Sequence, residues 1–165
     1  MNSLVRAIAP LAILFASGGI LSACQSQNLR IFVNQKTAEY FYDRGLERLD
    51  NGDYKDAIAN FNEVIQRQSS HYQAYSHRCI ALIKTGDVNA AKADCDRAVQ
   101  INPKDGDARS KRAHLLYFMG DRRGAIADLL MAASIYRQEG NLPLYQQTME
   151  KYQTYSKEIV RDSNI

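Results

Sequence analysis

Three Gly-Asp steps, Gly52-Asp53, Gly86-Asp87 and Gly120-Asp121, stand 34 residues apart each time, and an alanine follows each glycine five residues on, at Ala57, Ala91 and Ala125. A chain that returns to the same punctuation at so short an interval is built from one small unit laid down in series. A unit of that size cannot bury its own apolar face, so neighbouring units must stack to make a continuous core.

The content of the unit is legible from Ala38, which gives copies at 38–71, 72–105 and 106–139. In the first copy Ala38, Phe41, Gly45 and Leu49 share one side of a helix, with Tyr42 and Leu46 beside them. Gly52 falls where a helix ends in a left-handed residue, a conformation without a Cβ penalty for glycine. Asp53 follows as a cap for the next helix. Tyr54, Ala57, Ile58, Phe61, Val64 and Ile65 then recur at the three-and-one spacing of an amphipathic helix. The second copy repeats the plan with Tyr75, Cys79, Leu82 and Ile83, then Val88, Ala91, Cys95, Ala98 and Val99. Its second helix stops at Pro103, which cannot continue the hydrogen-bond ladder. The third has Ala113, Leu116 and Tyr117, then Ala125, Ile126, Leu129, Ala132 and Ala133.

This pattern resembles the tetratricopeptide repeat. The period matches, as do the aromatic fourth residue (Phe41, Tyr75), the small eighth (Gly45, Cys79, Ala113), the glycine at fifteen, the alanine at twenty and the proline at thirty-two (Pro103). Arg109 departs from the fourth-position aromatic, and Ser69 and Arg137 stand where the proline would be. The resemblance implies an all-α fold: a right-handed α-solenoid of three tetratricopeptide hairpins. Beyond it, residues 140–165 hold Pro143 near a helix start and a narrow stripe of Tyr145, Met149, Tyr152, Ser156 and Ile159. Gln147 falls where a fourth unit would need a small residue, so this segment is expected to be a capping helix.

The N-terminus reads as an address. Arg6 precedes the uncharged, mostly apolar run 7-AIAPLAILFASGGIL-21, and 21-LSAC-24 places small residues before a cysteine. The ending resembles the lipobox of bacterial lipoproteins. That resemblance implies removal of residues 1–23, thioether attachment of diacylglycerol to Cys24 and acylation of the new amine. An uncleaved anchor is the alternative, although Pro10 and Gly18-Gly19 weaken such a helix. Gln25, in the family's sorting rules, points to the outer membrane of a cell envelope. Residues 24–37 are expected to be the lipidated cysteine and a tether, with Leu29, Ile31, Phe32 and Val33 tucked against the first helix.

Chemistry is sparse. Setting Arg6 aside leaves 20 bases against 18 acids, interleaved along the chain, which argues against a nucleic-acid partner. There is no phosphate-cradling glycine loop, no HExxH and no recognisable nucleophile motif, so neither an enzyme nor a cofactor is expected. His77, Cys79 and Cys95 match no zinc spacing, and no metal is expected. The two thiols stand on facing helices of one hairpin, where they can act as small packing groups or form a disulfide.

Function is then expected of the surface. In tetratricopeptide arrays the first helix of each unit lines a concave groove. Residue by residue the resemblance implies Tyr42, Leu46 and Leu49, then Ser76, His77, Ile80 and Ile83, then Ser110, Lys111, His114, Tyr117 and Phe118. Several of these are more apolar than a solvated face requires, which suits a protein or peptide partner. Chaperone-binding members of the family clamp a terminal carboxylate with Lys and Asn. Here Tyr42, Leu46 and Asp107 stand at clamp positions and Lys111 alone matches. The expected role is a membrane-anchored interaction scaffold. The alternative is a self-associating one, a homo-oligomer or a chain whose groove is filled by its own residues.

Overall fold

The computed structural model describes residues 23–162. The expected export segment lies outside them as far as position 22, and the side chains of Cys24, Leu29 and Ile159 lie outside the described side chains. Seven helices and no strands occur among the described residues: α1 (Ala23–Asp50), α2 (Tyr54–Arg67), α3 (Tyr72–Thr85), α4 (Val88–Ile101), α5 (Gly106–Phe118), α6 (Arg122–Gln138) and α7 (Leu142–Asp162). From Gln35 onward they form one compact unit, an α-solenoid of three helical hairpins, α1–α2, α3–α4 and α5–α6, closed by α7. None of the described helices is long and apolar enough to cross a membrane.

The tight turns are as the sequence requires. Gly52, Gly86 and Gly120 sit at φ of 80°, 88° and 86°, the left-handed region, and reverse the chain within each hairpin. Asp87 and Asp121 then accept from the backbone N–H groups of Ala90 and Gly124 at 3.1 and 2.9 Å, which caps α4 and α6. Asp53 differs. Its carboxylate accepts instead from Arg48 Nη1 at 3.1 Å and makes no side-chain cap on α2. Two caps between units carry no Gly-Asp mark. His71 Nδ1 accepts from Ala74 N at 3.2 Å and Asp105 from Ala108 N at 2.6 Å.

Helix length follows the chain's stop signals. Pro103 holds α4 to an end at Ile101, since the residue before a proline is pushed out of helical space. With Arg137 in the equivalent place, α6 runs on to Gln138.

Within each hairpin the eighth and twenty-fourth residues of the unit meet, and the three copies fill that contact differently. Gly45 lies so close to Phe61 that a Cβ on it would stand 2.6 Å from Phe61 Cε1. Cys79 and Cys95 use the same place for a disulfide, with their Cα atoms 5.5 Å apart. Ala113 and Leu129 fill it in the third unit, within one buried cluster. A large residue is accommodated only where its partner is small, as close packing demands.

A polar ladder runs beside this apolar seam. Arg78 donates through Nε and Nη2 to the carboxylate of Asp94, both at 2.6 Å, and through Nη1 to Asn62 of the preceding unit at 2.6 Å. Arg112 repeats the arrangement with Asp128 at 2.6 and 2.7 Å and reaches back to Asp96 at 3.3 Å. Arg109, the departure from the fourth-position aromatic, joins the ladder by donating to Asp128 Oδ1 at 3.1 Å and to the Pro103 carbonyl at 2.8 Å. In the first unit Asn60 replaces the carboxylate and bonds its own helix, Nδ2 to Asp56 O at 2.7 Å.

Two expectations are corrected. Residues 24–37 are not a linker ahead of the first helix but its opening turns, because α1 is continuous from Ala23 to Asp50. Ile31, Phe32 and Val33 do not tuck away: they are 56%, 56% and 52% exposed. The cap α7 forms as expected, with Tyr145, Met149, Tyr152 and Ser156 partly buried, but Thr148 is its most buried residue and Gln147 is exposed. The register of α7 is thus one residue later than a fourth copy would have it.

Candidate peptide-binding groove

The expected groove residues on α1, α3 and α5 separate into three environments. At the first-unit end, Tyr42 is enclosed by rings: His71 at 4.8 Å, His77 at 5.9 Å and Phe61 at 6.1 Å between centroids. Burial, followed by the charge of Asp107, pushes its phenol up to about 12. Leu46 and Leu49 are half-buried against the core of the first hairpin, and Ile83 against that of the second.

The middle is polar and tightly held. Lys111 forms an ion pair with Asp107 and stands with Nζ 3.5 Å from His77 Nε2. An ammonium can only donate, so Nε2 faces it as an acceptor and the imidazole proton is placed on Nδ1. That Nδ1 is buried with no hydrogen-bond partner, as is Ser76 Oγ. Burial and then the neighbouring Lys111 charge lower the His77 pKa to about 4, so the ring is neutral near pH 7.

At the third-unit end Tyr117 is covered by α7. Its ring stacks on Tyr155, centroids 3.7 Å apart and planes 10° apart, and its hydroxyl donates to Glu158 Oε2. Phe118, at the end of α5, is 66% exposed.

Between these zones lies a niche of about 340 Å³ that brings together four expected residues, Ile80, Ser110, Lys111 and His114. Its remaining walls are Asp107 and Tyr136 with Leu144, Gln147, Thr148 and Lys151 of α7. Ile80 and Leu144 supply apolar surface. Lys111, Lys151, Ser110 and Gln147 supply donors. Burial, followed by the charges of Lys151 and Lys84, lowers the His114 pKa. The α7 contribution was missed because the groove was sought only on the first helices of the repeats. Leu144, Gln147, Thr148 and Lys151 are spaced for one face of a helix, but that spacing does not say which neighbour the face meets.

Among the described residues no group of three or more His, Cys, Asp or Glu is placed to hold a metal ion. Cys79 and Cys95 are bonded to each other.

Comparison with known proteins agrees with this architecture. Residues 48–115 match the sequence profile described as "Tetratricopeptide repeat". No curated protein matches the chain in sequence. Among solved structures, the fold is similar to the TPR2B domain of yeast Sti1 in its pHsp70 complex, at 24% identity and a TM-score of 0.70 over 74% of this chain and 98% of that one. It is similar to the first TPR of Spaghetti (RPAP3) bound to the HSP90 peptide SRMEEVD, at 17% identity and TM-score 0.68, covering 76% and 94%. The Yersinia enterocolitica type III secretion translocator chaperone SycD is similar too, at 14% identity and TM-score 0.69, covering 75% and 86%. At these identities the likeness is one of fold.

Proposed function

We propose that this chain is a non-enzymatic interaction adaptor whose groove takes a segment of a partner protein, and that Cys24 anchors it by lipidation to a membrane of the cell envelope. The niche between α5 and α7 carries the first half of this reading. It sets apolar walls, Ile80 and Leu144, beside exposed donors, Lys151 and Gln147, an arrangement suited to one apolar anchor of a peptide and its flanking polar groups. Structural neighbours are seen in complex with pHsp70 and with an HSP90 peptide, which supports peptide binding as the use of such a groove. The peptide class differs here, because Tyr42 is enclosed by aromatic rings and Asp107 neutralises Lys111, where a terminal-carboxylate clamp needs free cations.

The second half rests on the sequence 21-LSAC-24 and the apolar run before it. A lipid anchor would hold the groove within a few nanometres of the membrane, where an envelope complex could be met or assembled. At the third-unit end α7 of the same chain covers Tyr117, which supports the own-chain alternative there and leaves the niche as the place for a partner.

Affinity capture from cells expressing the full chain tests the groove. Ile80→Glu and Lys151→Glu should each remove a partner that the unmodified chain retains, while Leu130→Glu, on the exposed part of α6, should keep it. Identical captured proteins from all four would contradict the reading. Intact mass of the membrane-extracted protein tests the anchor, and an unmodified Cys24 would contradict it.

A further inference from the structure

We infer that the early turns of α1, residues 30–33, are a second membrane contact that settles into the headgroup layer of an anionic bilayer. The inference rests on the anchoring reading above. Four observations lead to it. Ile31, Phe32 and Val33 are consecutive, large and apolar, yet each is more than half exposed. Three successive residues on a helix point in directions about 100° apart, so they cannot all be served by one protein neighbour on one side. A lipid layer can surround them.

Distance is the next constraint. α1 is continuous from Ala23, so residues 31–33 lie seven to nine positions beyond Cys24, or roughly 10–14 Å at helical rise. The headgroup layer on one side of a bilayer is roughly 5–8 Å deep, so the contact has α1 leave position 24 tilted well away from the bilayer normal. The placement holds whether residue 24 carries acyl chains or the apolar run 7–21 is retained as an anchor, because either puts position 24 at the membrane.

Charge selects the lipid. Arg6, Arg30 and Lys36 are the only charged residues ahead of Glu39, and removing them from the 21 bases leaves 18 against 18 acids. Arg6 leaves with residues 1–23 on lipidation, so the charge beside the anchor is the +2 of Arg30 and Lys36, and residues 39–165 are neutral as a body. A basic, acid-free segment at an anchor is the charge pattern that an anionic surface attracts, by about fivefold in affinity for each base near the surface.

The chain contains no tryptophan, so one introduced tryptophan is a clean reporter. Full-length Phe32→Trp, extracted from membranes and reconstituted into phosphatidylglycerol–phosphatidylethanolamine vesicles, should emit at shorter wavelength and be quenched by lipids brominated on the acyl chain. Phe118→Trp, an exposed position of the third repeat, should do neither, and Arg30→Glu should reduce quenching of the position-32 reporter severalfold. A position-32 reporter that stays unquenched on vesicles while the mass shows acylated Cys24 overturns this contact and leaves the anchor intact. Protein absent from the vesicles, with Cys24 unmodified, overturns both. A blue shift without lipid quenching assigns the patch to a second copy of the chain and also overturns the inference.

Discussion

Arg112 grips Asp128 through two of its nitrogens, Nε at 2.6 Å and Nη2 at 2.7 Å, and 34 residues earlier Arg78 grips Asp94 in the same way. Each arginine also spends its third nitrogen on the previous unit, Asn62 or Asp96. The pair is therefore a rivet within one hairpin and a strap to the next. Asp128, 5% exposed, is shared by Arg109 and Arg112, so its loss strands two cations together. Asp128→Ala should lower stability by about 3 kcal/mol, the scale for breaking a buried pair from one side. Removing both ends, as Arg112→Met with Asp128→Leu, should recover part of that. Urea unfolding midpoints at unchanged slope check it, and an Asp128→Ala loss under about 0.5 kcal/mol would show the ladder to be solvated.

The Gly45–Phe61 contact makes a second prediction. Gly45→Ala should destabilise by about 1–3 kcal/mol, because a buried phenyl ring must give way to the new methyl group. Adding Phe61→Leu recreates the Ala–Leu pairing of the third unit, Ala113 with Leu129, and should restore much of the loss. Non-additivity in a double-mutant cycle is the readout.

Cys79 and Cys95 are both buried and bonded. Closing a loop of 16 residues stabilises by about 3 kcal/mol in the chain-entropy account. Alkylated mass should differ with and without reductant, and reduction should lower the Tm of the array. The bond also joins the middle hairpin alone, so unfolding that starts at either end should be arrested there under oxidising conditions.

His77 gives the pH dependence. Its folded pKa is about 4, below the unfolded value near 6.5, so the unfolded chain takes up a proton that the fold refuses. Stability therefore falls as pH drops from 6.5 towards 4, and the full loss, on the order of 3 kcal/mol, is reached below the folded pKa. His71 and His114 are lowered too and act in the same direction. His77→Gln should flatten the largest part of that slope. An unchanged slope between pH 4 and 6.5 would mean that the imidazole accepts its proton beside Lys111 without penalty.

Much of this was legible because the repeat sets both spacing and chemistry. Gly52, Gly86 and Gly120 fixed the hairpins, and the positions of small residues fixed where helices approach. The Arg78–Asp94 and Arg112–Asp128 ladder is also written at the 34-residue period, but apolar periodicity does not reveal it, since charged residues on a helix read as solvated surface. Asp53 misled because an Asp after a turn glycine has two uses, and the nearby Arg48 captured its carboxylate. The early part of α1 misled through composition: 25-QSQN-28 looks like linker, yet Gln is tolerated in helices, and a helix continuing from strong downstream turns adds one hydrogen bond per residue. Lys151 and Leu144 joined the niche only once α7 was seen beside α5, a tertiary relation that no local pattern encodes.

The groove itself is tested most directly by site-specific photocrosslinking in intact cells. A photoreactive residue at position 80, inside the niche, should yield a discrete adduct with one partner protein, and Lys151→Glu should abolish it. The same group at position 130 should yield no such adduct. Equal adduct patterns from both positions, or no adduct from position 80, would contradict the account.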